Sequence, residues 1–424
     1  MNKKRFIPGE TYISVSGKVF DKEEVKNAIK VAKEGWWTEG RFAKQFESDF
    51  KKLLGVKYVS LVNSGSSANL LAVAALTSEV FGERRLKQGD EFITSAVAFP
   101  TTVNPGIQYG LKPVFIDAEL NSLNIDALKI EKAITEKTKL IIIAHTLGKP
   151  FNLKVIMKLV KKYNLWLIED CCDALGSKYD GKYVGTFGDI ATFSFYPAHQ
   201  ITMGEGGAVV TNNSLIHRSI RQFRDWGRDC WCDTGTDNTC KKRFSWKLGK
   251  LPYGYDHKYI YSQIGYNLKL TDFQAAIGVA QLKKLSEFIK KRQNNYKNLY
   301  SFFSKYARYF SLMKNNSDEE VSYFGFPIIV KKNPYFSRND LTEYFEKNKI
   351  GTRNIFSGNL LKHPGYMKID CRIPKKLVNS DIIMERAFWL GVFPGITEKM
   401  IDYIKKVTSD YLKSFLNFRD TIKH

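Results

Sequence analysis

The chain has 424 residues, 43% of them apolar and 26% charged, enough to bury the core of one large domain and a smaller one without disulfides. No run of about eighteen apolar residues is present to cross a membrane, and the basic start MNKKRF has no apolar stretch after it, so a cytoplasmic location is expected. The net charge of +23 is scattered through stretches such as KKLVNSDII and KKRQNNYKNLY, which argues against a nucleic-acid partner and leaves a positive field suited to a nucleotide diphosphate or an acidic protein.

Taken in order, KYVSLV, EFIT, KPVFID, KLIIIAH, LWLIED and IATFSF are short apolar runs that read as strands, with helices expected near 68–79, 124–135 and 153–163. Strands alternating with helices predict a doubly wound, mostly parallel sheet. From Arg221 to Gly265 the pattern lapses into a polar, aromatic stretch too long for a connector. A long helix over 272–300 is expected next, then GFPIIV, RNDLTEYFEKNKI and a last helix near 400–417, which together predict a compact strand-and-helix domain.

Ligands of such sheets sit beyond the carboxyl ends of the strands. In VNSGSSANLL, Gly65 and Ser66 stand between a strand and a helix, where free N–H groups and the helix dipole suit an anion; a serine N-cap accounts equally for the pattern. In LWLIEDCCDALG, Asp170 closes a buried strand, where a carboxylate can hold a pyridinium nitrogen protonated or cap the next helix. Phe99 in SAVAFPTT can stack on a flat ring or belong to the core.

Six cysteines in a chain expected to be cytoplasmic read as metal ligands, nucleophiles or core residues. Cys230, Cys232 and Cys240 share the turn-rich CWCDTGTDNTC, and Cys172, two residues beyond Asp170, is the candidate fourth ligand. On a strand, residues i and i+2 share a face about 6.6 Å apart. Four thiolates suit zinc and an iron–sulfur cluster alike. Cys171 and Cys371 fall outside the set and read as small buried hydrophobes.

Together with SFYPAHQITMGEGG, residues 194–207, these features resemble the fold-type I pyridoxal-phosphate enzymes, specifically the nucleotide-sugar aminotransferases, over nearly the whole chain. The resemblance implies an α/β fold with a mixed, mostly parallel seven-stranded sheet in a large domain over 1–295, a cysteine-rich insert near 228–260, and a smaller C-terminal α+β domain over 296–424. It implies cofactor contacts from Gly65, Ser66, Phe99, Asp170 and Ser194. Asn267, in GYNLKLTDFQAA, is implied to reach the neighbouring subunit's site, hence a homodimer.

In that family the motif carries a lysine that bonds to the cofactor's aldehyde; here the position holds His199. Imidazole forms no stable imine, but as a neutral base it takes a proton near neutral pH. Such a site suits pyridoxamine phosphate, which brings its own amine. The cysteine spacing of 57, 1 and 7 intervening residues is similar to the [2Fe–2S] set of the 3-dehydratases of 3,6-dideoxyhexose pathways. That resemblance implies catalytic His199 and Asp170, cluster ligands Cys172, Cys230, Cys232 and Cys240, and loss of the C3 hydroxyl of a nucleotide-linked 4-keto-6-deoxyhexose, CDP-linked favoured. It further implies an NAD(P)H-dependent flavin or iron–sulfur reductase as partner, and lipopolysaccharide assembly as destination. Gln200 departs from the pattern, standing where those dehydratases have a second histidine. Two alternatives remain open: a cluster-free dehydratase that draws its amine from glutamate, and a non-catalytic, zinc-containing relative that binds a ligand.

Overall fold

The computed structural model describes residues 5–421, with side chains through Phe415. Seven strands form the central sheet: β1 (Tyr58–Val62), β2 (Glu91–Ser95), β3 (Lys112–Ile116), β4 (Thr138–Ala144), β5 (Trp166–Asp170), β6 (Ile190–Ser194) and β7 (Gly207–Thr211). Their order is β1-β7-β6-β5-β4-β2-β3. Only β7 opposes its neighbours, running antiparallel to β1 and β6, while the other pairs are parallel. The expected fold-type I architecture is what the chain adopts.

Strands with both faces covered read as continuous apolar runs, and the two faces separate residue by residue. Ile141, Ile143 and Leu167 enter one apolar core, whereas Leu140, Ile142, Trp166 and Ile168 enter the other. Among the described residues before 304, eight α-helices longer than one turn supply or support the flanking layers: α1 (Lys22–Glu34), α2 (Arg41–Leu54), α3 (Gly65–Leu76), α4 (Pro100–Gln108), α5 (Leu153–Tyr163), α6 (Ser214–Arg224), α7 (Asp272–Leu282) and α8 (Leu285–Phe303). Phe46 and Phe50 of α2 and Ile156 of α5 pack on one face; Leu71 of α3, Val103 of α4 and Ile216 of α6 pack on the other.

A second, antiparallel sheet of β8 (Phe310–Leu312), β9 (Gly325–Val330) and β10 (Ala387–Gly391) joins α9 (Arg338–Lys347), α10 (Val378–Arg386) and α11 (Glu398–Thr421). Its core takes in Ile13 from the far end of the chain, whose N–H donates to the Lys349 carbonyl at 2.7 Å. No helix among the described residues is long and apolar enough to cross a membrane.

Three expected elements differ. The helix predicted over 272–300 is two helices, separated by a tight turn at Lys283 and Lys284 in which the Lys284 N–H donates to the Gln281 carbonyl at 2.9 Å. The helix expected over 124–135 shrinks to Ala127–Ile130 with a 3₁₀ turn after it. The helix expected from 68 starts at Gly65, because the Ser64 hydroxyl accepts the Ser67 N–H at 3.1 Å and caps it there. Strand β7 and helix α6 were not foreseen.

Candidate functional site

The carboxyl ends of β5 and β6 and the first turn of α3 meet at a cavity of about 370 Å³, lined by Gly65, Ser66, Phe99, Asp170, Ser194 and His199 among others. That volume lies in the range of small-molecule sites. The early start of α3 brings Gly65 against β6. A Cβ on Gly65 would lie 2.5 Å from the Ser194 Cβ, so glycine is what lets the helix N-terminus approach the Ser194 hydroxyl. Phe99 caps α4 and is 51% exposed at the cavity mouth.

Asp170 is buried and held from three directions. Its Oδ2 accepts from Asn69 Nδ2 at 2.9 Å and from Thr102 Oγ1 at 2.7 Å; its Oδ1 accepts the Cys172 N–H at 3.1 Å. Two lone pairs per oxygen leave Oδ1 able to accept one more N–H, which suits a protonated ring nitrogen. Asn69 and Thr102 lie inside helices, where sequence gave no signal for them. The residues present therefore fit a pyridoxal-type cofactor, with a cradle for phosphate at one end and a fixed acid at the other.

His199 lies in the loop after β6. Its N–H donates to the Tyr196 carbonyl at 3.0 Å, and its carbonyl accepts from Arg292 Nη2 at 2.8 Å. Its Nδ1 is 3.4 Å from Asp173 Oδ1. Burial raises the Asp173 carboxyl, and the neighbouring His199 opposes that rise. Burial also draws Arg292 down to about 10, against the pull of Asp173. Gln200 points elsewhere: its Nε2 donates to the Asp173 and Ser322 carbonyls, so it braces the backbone that carries Asp173. Asp173 and Arg292 are the neighbours of His199 that sequence reading missed. Their signal, an acid three residues beyond Asp170 and a helical arginine, is too common to stand out.

Cys172 also lines the cavity, but not as an extension of the strand. β5 ends at Asp170 because the Asp170 carboxylate takes the Cys172 N–H in a turn, so the alternation argument for their shared face does not apply. Burial, and next Asp170, push the Cys172 thiol well up. Cys230 and Cys232 lie close enough for each to shift the other's thiol. Burial pushes Cys232 up, but the Thr239 side chain, the Cys240 N–H and the Cys230 thiol outweigh it and bring Cys232 down to about 7. Three thiols gathered in one loop suit a thiolate-bound metal or cluster. Behind them, His257 faces Cys240 Sγ at 3.9 Å and Asp229 Oδ2 at 2.9 Å.

Among the described residues, the group of three metal-ligating side chains whose ligand atoms lie within 4.8 Å of one another is a different one: His145, Glu169 and Cys171. His145 Nδ1 accepts the Phe151 N–H at 3.2 Å, so its Nε2 carries the proton toward Glu169. Glu169 also accepts the N–H groups of Gly185, Phe187 and Gly188. That group is a satisfied structural network. Asn267 sits apart from the cavity, its Oδ1 accepting from Lys269 Nζ at 2.8 Å.

Comparison with known proteins accords with this geometry. The model of the DegT/DnrJ/EryC1/StrS aminotransferase family matches residues 18–408. The lipopolysaccharide biosynthesis protein RfbH of Salmonella typhimurium is 50% identical over 404 residues, 95% of this chain and 92% of that protein. The dTDP-4-dehydro-2,6-dideoxy-D-glucose 3-dehydratase of Saccharopolyspora spinosa is 47% identical over 407 residues, 96% of this chain and 88% of that one. Among solved structures, the Escherichia coli GDP-4-keto-6-deoxy-D-mannose-3-dehydratase with bound hydrated PLP aligns with a TM-score of 0.83 at 32% identity, covering 94% of this chain and 100% of that one.

Proposed function

Because the chain belongs to the DegT/DnrJ/EryC1/StrS aminotransferase family yet has an imidazole where that family's chemistry calls for an amine, we propose that it is a dehydratase. It removes the C3 hydroxyl of a nucleotide-linked 4-keto-6-deoxyhexose, using pyridoxamine phosphate. The observation that carries this reading is His199 on the cavity wall beside Asp173; the two close relatives named as 3-dehydratases support it. When bound, the cofactor supplies an amine to meet the 4-keto group and a ring that takes up electrons.

The chain's own residues do the rest. Gly65, Ser66 and Ser194 receive the phosphate, Phe99 covers the ring, and Asp170, fixed by Asn69 and Thr102, keeps the ring nitrogen protonated. Asp173, within ion-pair distance of Nδ1 at 3.4 Å, favours protonation of the His199 imidazole, whose Nε2 takes and returns a proton at the cofactor carbon next to the ring. With no lysine at this position, the covalent tether of ordinary amino transfer is lost while the base is kept. His199→Asn should retain cofactor loading and lower dehydration by about 10²–10⁴-fold; undiminished turnover would refute the assignment.

Cys172, Cys230, Cys232 and Cys240 are assigned as ligands of a [2Fe–2S] cluster, supported by their spacing and by the gathering of the three loop thiols. A cluster there supplies single electrons and calls for an NAD(P)H-dependent reductase. A solved GDP-4-keto-6-deoxymannose-3-dehydratase with a trapped PLP-glutamate geminal diamine favours a second reading, a cluster-free dehydratase that regenerates its amine from glutamate; turnover with glutamate alone, free of iron, selects it. The enzyme is read as a cytoplasmic homodimer in which Asn267 serves the neighbouring site, with lipopolysaccharide sugars as its destination, as the name of RfbH suggests.

A further inference from the structure

A second cavity of about 500 Å³ adjoins the first, and Asn354 and Phe356 line both. The wall between them is fixed. The Ser357 hydroxyl donates to the Ala98 carbonyl at 2.7 Å, next to Phe99, and the Ser357 carbonyl faces His363 Nε2 at 2.7 Å. The Asn354 carbonyl accepts from Trp389 Nε1 at 3.0 Å. The two cavities thus meet at the Asn354–Phe356 lip.

Arg338 lies in that second cavity. Its Nη1 donates to the Asn354 side chain and its Nη2 to the Met384 carbonyl at 3.4 Å, while its buried Nε has no partner. No carboxylate pairs with it among the described residues, and burial alone lowers its pKa. The other cation there, Lys362, is already answered by Asp381 at 2.9 Å. Glu385, which is exposed, also lines the cavity. A half-buried guanidinium with neutral partners is costly to keep unless an anion visits it.

We propose that Arg338 receives the diphosphate of the nucleotide-linked substrate, with the sugar in the first cavity and the phosphates crossing the Asn354–Phe356 lip. This rests on the dehydratase reading for the identity of the substrate, and the experiment separates the two. Calorimetric titration of the full cofactor-loaded chain with CDP and GDP is the direct test. The wild type should bind at least one of them. Arg338→Gln should weaken that binding about tenfold or more, Arg338→Lys should recover part of it, and cofactor absorbance should stay unchanged in both. Arg338→Gln binding within twofold of the wild type overturns the subsite and leaves the dehydratase reading standing; a wild type that binds neither nucleotide overturns both. Labelling of wild-type Arg338 by phenylglyoxal, read by mass spectrometry, needs no variant. CDP or GDP should slow it, and an unaltered rate with the nucleotide bound overturns the assignment.

Discussion

At position 199 the difference between an amine and an imidazole decides which reactions the site supports, and that difference is visible in the sequence. The surroundings that make it useful were not. Asp173 at 3.4 Å, and Asn69 and Thr102 on Asp170, come together only through the fold, and each alone reads as an ordinary polar residue. A titration elsewhere offers an independent check of the residue-level electrostatics. Glu47 lines a cavity between α2 and β1, where burial raises its pKa to about 7, opposed first by Arg224. A carboxyl raised in the folded state stabilises below its unfolded pKa, and this contribution is lost as pH rises from about 4.5 through about 7. Glu47→Gln stays neutral and keeps an acceptor for the Leu61 N–H. The full shift corresponds to about 3 kcal/mol. Since Glu47 is only half-buried, cavity water reduces the expected gain of the variant to about 1 kcal/mol above pH 7, vanishing below pH 5. Parallel stability curves for variant and wild type would contradict this.

Among the elements, the first turn of α3 matters most. Its serines stood out between a strand and a helix, but the sequence placed the start of the helix three residues late, because the capping of Ser67 by Ser64 is a matter of geometry. Gly65→Ala would set a Cβ 2.5 Å from the Ser194 Cβ and 3.0 Å from Cys172 Sγ. Overpacking of this kind costs about 1–3 kcal/mol, and the variant should melt earlier and release cofactor on gel filtration; unchanged cofactor retention would place the phosphate elsewhere. The loop between α6 and α7 stood out in the sequence by its cysteines, while its fastening did not: Asp233 pairs with Lys44 at 3.1 Å and Thr234 donates to Glu39 at 3.0 Å. Anaerobically purified protein should contain iron and acid-labile sulfide, and Cys230→Ser should lose both while keeping the cofactor. Zinc in place of iron would exclude the cluster.

For the molecule as a whole, six of the seven strands of the central sheet were legible as short apolar runs, such as LIIIA in β4 and WLI in β5, while their order in the sheet was not. What also escaped was β7, antiparallel and opening at Gly207 directly after the glycine-rich loop. The attachment of Ile13 to the second core escaped as well, because chain order says nothing about a strap that returns across the molecule. That strap belongs to the site: Val15 and Ser16 line the cofactor cavity together with Arg353 and Trp389 of the second sheet's surroundings. The cavity is thus lined both from the central sheet and from β10 of the second sheet.

The most direct test follows the oxygen at C3. With pyridoxamine phosphate, a CDP-linked 4-keto-6-deoxyglucose and ¹⁸O-labelled water, but no reductant, the wild type should exchange the C3 hydroxyl oxygen with solvent, and His199→Asn should not. Accumulation of a 4-amino sugar with the C3 oxygen unlabelled would contradict the account.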